Sequence, residues 1–143
     1  MPHKKILVAL NDSPISQEVA RIASKLARLD HARLFGVYVF ELPRALPLDA
    51  KIPEQAERGD KILNLFTSIA AEHGISEVGG EVVQARVAGE GIVDYAKKCE
   101  AQLLIVGIND KPRMGDQVLG SAVSDVLKHS PCPVWAIKLN AGV

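Results

Sequence analysis

The sequence predicts a doubly wound α/β fold: three layers, with a five-stranded parallel sheet between two layers of helices. Three observations lead there. Short apolar runs such as Ile6 to Leu10 and Leu103 to Gly107 show no alternation, as strands covered on both faces do. Segments with helical spacing separate these runs, and each crossover is long enough to hold a helix and return the chain in parallel. The chain has 143 residues, of which 48% are hydrophobic and 24% charged, enough for one domain spanning 1–143 with a substantial core.

Each element follows in order. Ile6 to Leu10 is an interior strand, and Asn11-Asp12-Ser13-Pro14 supplies turn and helix-start chemistry. Ile15, Val19, Ile22, Ala23, Leu26 and Ala27 then recur at helical spacing as far as Leu29. Leu34 to Phe40 is the second strand, reached by a right-handed crossover. Glu41 to Pro53 carries prolines at 43, 47 and 53 and reads as a long surface loop, with a lid over the neighbouring strand ends as the alternative. Helical spacing resumes at Ala56 and continues through Ile62, Phe66, Ile69 and Ala70 to a stop at Gly74, with Gly59 an unfavourable residue inside it. Glu81 to Val87 is predicted as the third strand, Gly89 to Cys99 as the third helix and Leu103 to Gly107 as the fourth strand. Gly120 to His129 forms the fourth helix and Val134 to Ile137 the fifth strand.

Composition excludes several functions. Seventeen basic residues balance 17 acidic ones, so the chain lacks the cationic excess from which phosphate-backbone affinity comes, and no nucleic-acid partner is expected. No apolar run approaches the roughly 18 residues that span a bilayer, and no membrane partner is expected. The short run after Lys4-Lys5 ends at Asn11, which is too soon for a secretory leader; a cytoplasmic location is expected. Cys99 and Cys132 are too few for a disulfide framework and read as reduced thiols.

Motifs narrow the chemistry further. There is no G-x-x-x-x-G-K-[ST], no G-x-S-x-G and no H-E-x-x-H, and the four histidines at 3, 31, 73 and 129 stand singly, so no metal site is expected. Gly89 and Gly91 begin like a dinucleotide fingerprint, but Asp94 stands at the third glycine, and a helix-start turn is the better reading. Ser121, Asp125 and His129 share a helix face, yet the outer two are roughly 12 Å apart, too far for a catalytic triad. Gly120-Ser121 at a helix start is different: free backbone N-H groups and a partial positive charge can hold an anion there without a basic side chain. A turn glycine followed by a helix cap is the simpler alternative. Two strand orders suit this chain, 2-1-3-4-5 and 3-2-1-4-5; in the second, a ligand crevice opens between the loops leaving the first and fourth strands.

The segment GINDKPRMGDQVLGSAVSDVLKHSPCPVWAI, residues 107–137, resembles the universal stress protein family. Gly107, Gly120 and Ser121 fall on the first glycine, last glycine and hydroxyl of the family's G-x2-G-x9-G-[ST] pattern, and KHSPCPV matches its closing run. KKILVALNDSPISQEVARIASKLA is similar to the family's opening strand, turn and first helix.

The resemblance implies order 3-2-1-4-5, an adenine nucleotide α-hydrolase-like arrangement, and ATP or another adenine nucleotide as ligand, with Mg2+ as the accompanying ion. Phosphates would meet Gly107, Asp110, Gly120 and Ser121, together with the backbone of Ala122 and Val123. The nucleoside would lie near Leu10, Asn11, Asp12 and the second strand at Val37 to Val39. A homodimer through Val134, Trp135, Ala136 and Ile137 is also implied, and an exposed apolar edge strand independently favours such pairing. Nothing in the chain matches a phosphoryl-transfer apparatus, so binding is expected with ATP hydrolysis slow or absent.

Two departures from the pattern bear on this. Asp110 replaces the second glycine, and its carboxylate would repel a triphosphate by a few kcal/mol at an effective dielectric of about 20. Asn11 stands at the usual aspartate. The alternative function is a dimeric interaction or scaffold protein of the same fold that has lost the nucleotide.

Overall fold

A computed structural model describes residues 5–108 and 121–139. The elements run β1 (Lys5–Leu10), α1 (Pro14–Asp30), β2 (Arg33–Glu41), α2 (Pro53–Glu72), β3 (Val78–Ala85), α3 (Ala88–Lys98), β4 (Leu103–Ile108), α4 (Ser121–His129) and β5 (Val134–Lys138). All strand pairs are parallel, in the order β3-β2-β1-β4-β5, the second of the two orders the sequence allows.

The unalternating runs are explained by burial on both faces. Ile6, Val8 and Leu10 of β1 face α1 and α2, where they pack with Val19, Ala23, Phe66 and Ile69. Leu7 points the other way and joins Val37, Leu104 and Val106 against Ile92, Val93, Ala96 and Val126 of α3 and α4. Each large apolar side chain buried in these layers contributes roughly 1.5–3 kcal/mol relative to exposure. A smaller cluster, Tyr38, Phe40 and Leu42 with Ile52, Ile62 and Val82, seats the start of α2 on β2 and β3.

Two boundaries differ from the sequence prediction. The third strand is Val78–Ala85, earlier than the expected 81–87, because the Gly79-Gly80 pair belongs to the strand and not to a turn. Gly79 lies opposite Phe35, and a Cβ there would stand 2.6 Å from Phe35 Cδ2, so the ring occupies the place of a side chain. The second helix begins at Pro53 instead of Ala56, since proline at the first helical position sacrifices no hydrogen bond. Gly59 also has a packing role in α2. A Cβ there would approach Val82 Cγ2 to 2.6 Å and Tyr38 Cδ2 to 2.9 Å, so its absence lets the helix lie close on the sheet.

The proline-bearing loop is held to the body of the protein. Gln84 Nε2 donates to the carbonyls of Leu48 and Ala50, at 2.6 and 2.9 Å, and Arg86 Nη1 donates to that of Pro43 at 2.6 Å. A tethered surface connection fits these bonds; a hinged lid does not.

Candidate functional site

The sheet reverses direction of growth between β1 and β4, so the chains leaving their carboxyl ends diverge and a crevice opens there. At β1 the turn is built by its own polar side chains. Asn11 Oδ1 accepts from the Ser13 backbone N-H at 2.9 Å and from the Ser13 hydroxyl at 2.6 Å. Ser13 caps α1 by accepting from Ser16 N-H at 3.3 Å, while the buried Ser16 hydroxyl accepts from Asn11 N-H at 3.1 Å. The sequence read Asn11 as a ligand residue, yet its carbonyl oxygen is committed to shaping the turn.

The remaining nucleoside candidates gather at this edge. Leu10 is buried at the end of β1, and Asp12 is exposed in the turn. Val39 of β2 is half-buried among the apolar side chains on the α3 and α4 face. Of the phosphate candidates, Gly107 lies near the end of β4, where a Cβ would stand 3.0 Å from Val19 and 3.1 Å from Ile15. Its lack of a side chain therefore already serves the packing of α1 on the sheet. Ala122 and Val123 lie in the first turn of α4, both half-buried, and Ser121 is its first residue. Asp110 and Gly120 lie outside the described residues.

One neighbour of this turn was not singled out from the sequence. Arg58 of α2 reaches across to Asp12, with Nη1 3.7 Å from Oδ2. Beside it stands Tyr38 of β2, buried, whose hydroxyl donates to Gln55 Oε1 at 3.3 Å. Burial pushes the Tyr38 phenol above the usual 10.0 of a tyrosine; the Arg58 guanidinium pulls it back by charge and hydrogen bonding, and the Asp12 carboxylate adds to the rise. Arg58 and Asp12 are far apart in sequence, and no local spacing links them. The one sequence clue was Gly59, the residue that lets α2 come close enough for its neighbour to reach the turn.

The second helix start at this edge, that of α3, is also occupied from within: Glu41 Oε2 accepts from the Ala88 backbone N-H at 2.8 Å. Beneath the turn, a cavity of about 170 Å³ between α1 and α2 is lined by Asn11, Asp12, Ser16, Lys61, Phe66 and Ile69 among others. Among the described residues no cluster of His, Cys, Asp or Glu could hold a metal ion, and no helix is long and apolar enough to cross a membrane.

This fold defines a class of α/β protein: a doubly wound parallel sheet with a switch point between its first and fourth strands. The model of the universal stress protein family matches residues 2–138, and the chain belongs to that family. It is 30% identical over 142 residues to a universal stress protein of Methanocaldococcus jannaschii, an alignment covering 95% of this chain and 82% of that one. Universal stress protein A homolog 1 of Coxiella burnetii is 27% identical over 150 residues, covering 96% and 97%. Solved structures share the fold. A universal stress protein of Archaeoglobus fulgidus, solved in complex with dAMP, superposes with a TM-score of 0.76 at 24% identity, over 96% of this chain and 100% of that one. A universal stress protein solved in complex with cAMP gives a TM-score of 0.73 at 18% identity, covering 96% of this chain and 98% of that one.

Proposed function

We propose that this universal stress protein is a regulatory binder of an adenine nucleotide, held in the crevice between β1 and β4, with little or no catalysis. The observation that carries the reading is the order reversal of the sheet between β1 and β4, with the Asn11 to Ser13 turn following β1 and α4 the next helix in the chain after β4. The relatives solved with dAMP and cAMP support the class of ligand. On this reading the nucleoside meets Leu10, Asn11, Asp12 and Val39. The phosphates meet Gly107, Asp110, Gly120 and Ser121 with the N-H groups of Ala122 and Val123, where a helix start stabilises negative charge. ATP with Mg2+ is the fullest ligand of this kind, and Asp110 favours nucleotides with fewer phosphates.

The protein works as a cytoplasmic homodimer paired through β5, where Trp135 is 47% exposed, Ala136 is exposed, and Val134 and Ile137 are half-buried. Calorimetric titration with Mg-ATP, AMP and cAMP tests the proposal. Saturable heat with at least one is expected, and none at millimolar nucleotide refutes it. Gly120→Val abolishes binding, and Asp110→Gly tightens ATP more than AMP. The second reading, a scaffold of the same fold acting through its β5 surface, rests on Asp110 and the exposed Trp135 and gains if no nucleotide binds.

A further inference from the structure

We propose that Cys99 and Cys132 form a dithiol redox-modification site, at which a peroxide closes an intramolecular disulfide between the end of α3 and the approach to β5. The site stands apart from the nucleotide reading. Cys99 precedes β4 and Cys132 precedes β5, so both lie at the amino ends of these strands, whereas the Asn11 turn follows the carboxyl end of β1.

Three observations bring the two thiols together. Both are half-buried and pack against one buried cluster, which includes Ala96 of α3, Leu104 of β4 and Val126 of α4. They therefore share a face of the sheet. Second, the backbone draws together the segments that carry them. Ala101 N-H donates to the Ala96 carbonyl at 2.9 Å, which folds the chain after Cys99 back on the last turn of α3. Leu104 N-H donates at 3.0 Å to the carbonyl of Pro133, the residue after Cys132, and Leu104 pairs with Val134 in the neighbouring strand. Third, the thiols feel each other's charge. Burial pushes the Cys99 thiol above its usual 9.0, backbone hydrogen bonding and the Lys5 charge oppose the rise, and charge on Cys132 adds to it.

The two thiols differ as attacking and resolving partners do. Cys132 stands between Pro131 and Pro133, both exposed, and the Ser130 hydroxyl, which accepts from Cys132 N-H at 3.2 Å, lies 3.6 Å from its sulfur. A hydroxyl there can donate to a thiolate. Cys99 is held protonated by burial, with its Sγ 3.8 Å from the Ala96 carbonyl oxygen to which it donates. Cys132 is thus the first to react, and Cys99 resolves the product. With hydrogen peroxide, the Cys132 thiolate attacks one oxygen, the O-O bond breaks, and the departing hydroxide is protonated to water, leaving a sulfenic acid. The Cys99 thiolate then attacks that sulfur; an S-S bond forms and the S-O bond breaks to release a second water. Both sulfurs are oxidised and the peroxide is reduced.

The test treats the reduced full chain with hydrogen peroxide, unfolds it in urea, alkylates it with iodoacetamide and reads it by mass spectrometry. Wild type is expected to lose both alkylatable thiols together in a monomer lighter by two hydrogens, to yield a linked Cys99 and Cys132 peptide pair, and to recover both thiols in dithiothreitol. In Cys132→Ser, Cys99 is expected to be lost roughly tenfold more slowly than in wild type. In Cys99→Ser, Cys132 passes on to sulfinic acid, which dithiothreitol does not reverse. Two thiols that remain alkylatable in wild type overturn the proposal. So does a bridge formed only between chains, or separate oxidation of the two cysteines without a link. Equal loss of Cys99 in wild type and Cys132→Ser also overturns it, because Cys99 would then be oxidised without its partner. Circular dichroism checks that the variants are folded, and the wild-type result decides the proposal even where a variant is not.

Discussion

At Gly59, two general effects oppose each other. In an exposed helix interior, Gly→Ala stabilises by roughly 1 kcal/mol, through propensity and reduced freedom of the unfolded chain. Gly59 is buried, and its Cβ would meet Val82 Cγ2 at 2.6 Å, Val82 Cγ1 at 2.7 Å and Tyr38 Cδ2 at 2.9 Å. Opening these to ordinary contact requires α2 to lift, or Val82 and Tyr38 to shift, by most of an ångström, and overpacking of this kind costs about 1–3 kcal/mol. Tyr38 is held by its hydrogen bond to Gln55, so the upper half of that range applies. The net expectation is that Gly59→Ala destabilises by about 1–2 kcal/mol, a melting shift of roughly 4–8 °C for a chain of this size. The internal reference is Asn64, exposed in the same helix, where Asn64→Ala should be more stable than Asn64→Gly by about 1 kcal/mol. Urea unfolding with matched m-values measures both. A Gly59→Ala protein more stable than wild type would show that α2 is not pressed on the sheet as described, and the placement of Arg58 would lose its basis.

Other expectations are more direct. Ser13→Ala removes the α1 cap and one of the two bonds to Asn11 Oδ1, and urea unfolding should show a loss of about 1 kcal/mol. Tyr38 is held above the usual 10.0 chiefly by burial, so its neutral form favours folding. That contribution is complete below pH 10.0 and falls as pH rises through 10.0 toward the raised folded value. Stability curves for wild type and Tyr38→Phe should therefore converge or cross above pH 10, and parallel curves would count against the assignment. Burial likewise raises the Cys99 thiol above its usual 9.0. In Cys132→Ser, Cys99 should react with a disulfide reagent at pH 8 at least tenfold more slowly than in urea, and equal rates would show it to be accessible.

Most of the architecture was legible because burial on two faces leaves a plain mark: β1 and β4 read as unbroken apolar runs, and their helices as periodic ones. The exceptions share a cause. Gly79 and Gly59 look like breakers when read locally, and each is required by a ring or side chain from a distant segment that fills the missing volume. The site divides in the same way. Its backbone positions near Asn11 and at the start of α4 follow from turn and helix-start chemistry. Arg58 and Glu41 could not be found, because their contacts to Asp12 and Ala88 exist only once the sheet is assembled. Asn11 was expected as a ligand contact, and the bonds its side chain makes within the turn were not anticipated from the sequence.

The bond from Glu41 to Ala88 bears on how a molecule with several helix starts along one sheet edge avoids indiscriminate capture of anions. Each such start attracts negative charge. At α1 the Ser13 hydroxyl takes that place, and at α3 the carboxylate is the protein's own, supplied by the last residue of β2. Glu41 thus acts as a resident competitor. A phosphate entering from solvent would have to displace this tethered anion to use α3. Capture of anions along this edge then depends as much on what already occupies a helix start as on the start itself.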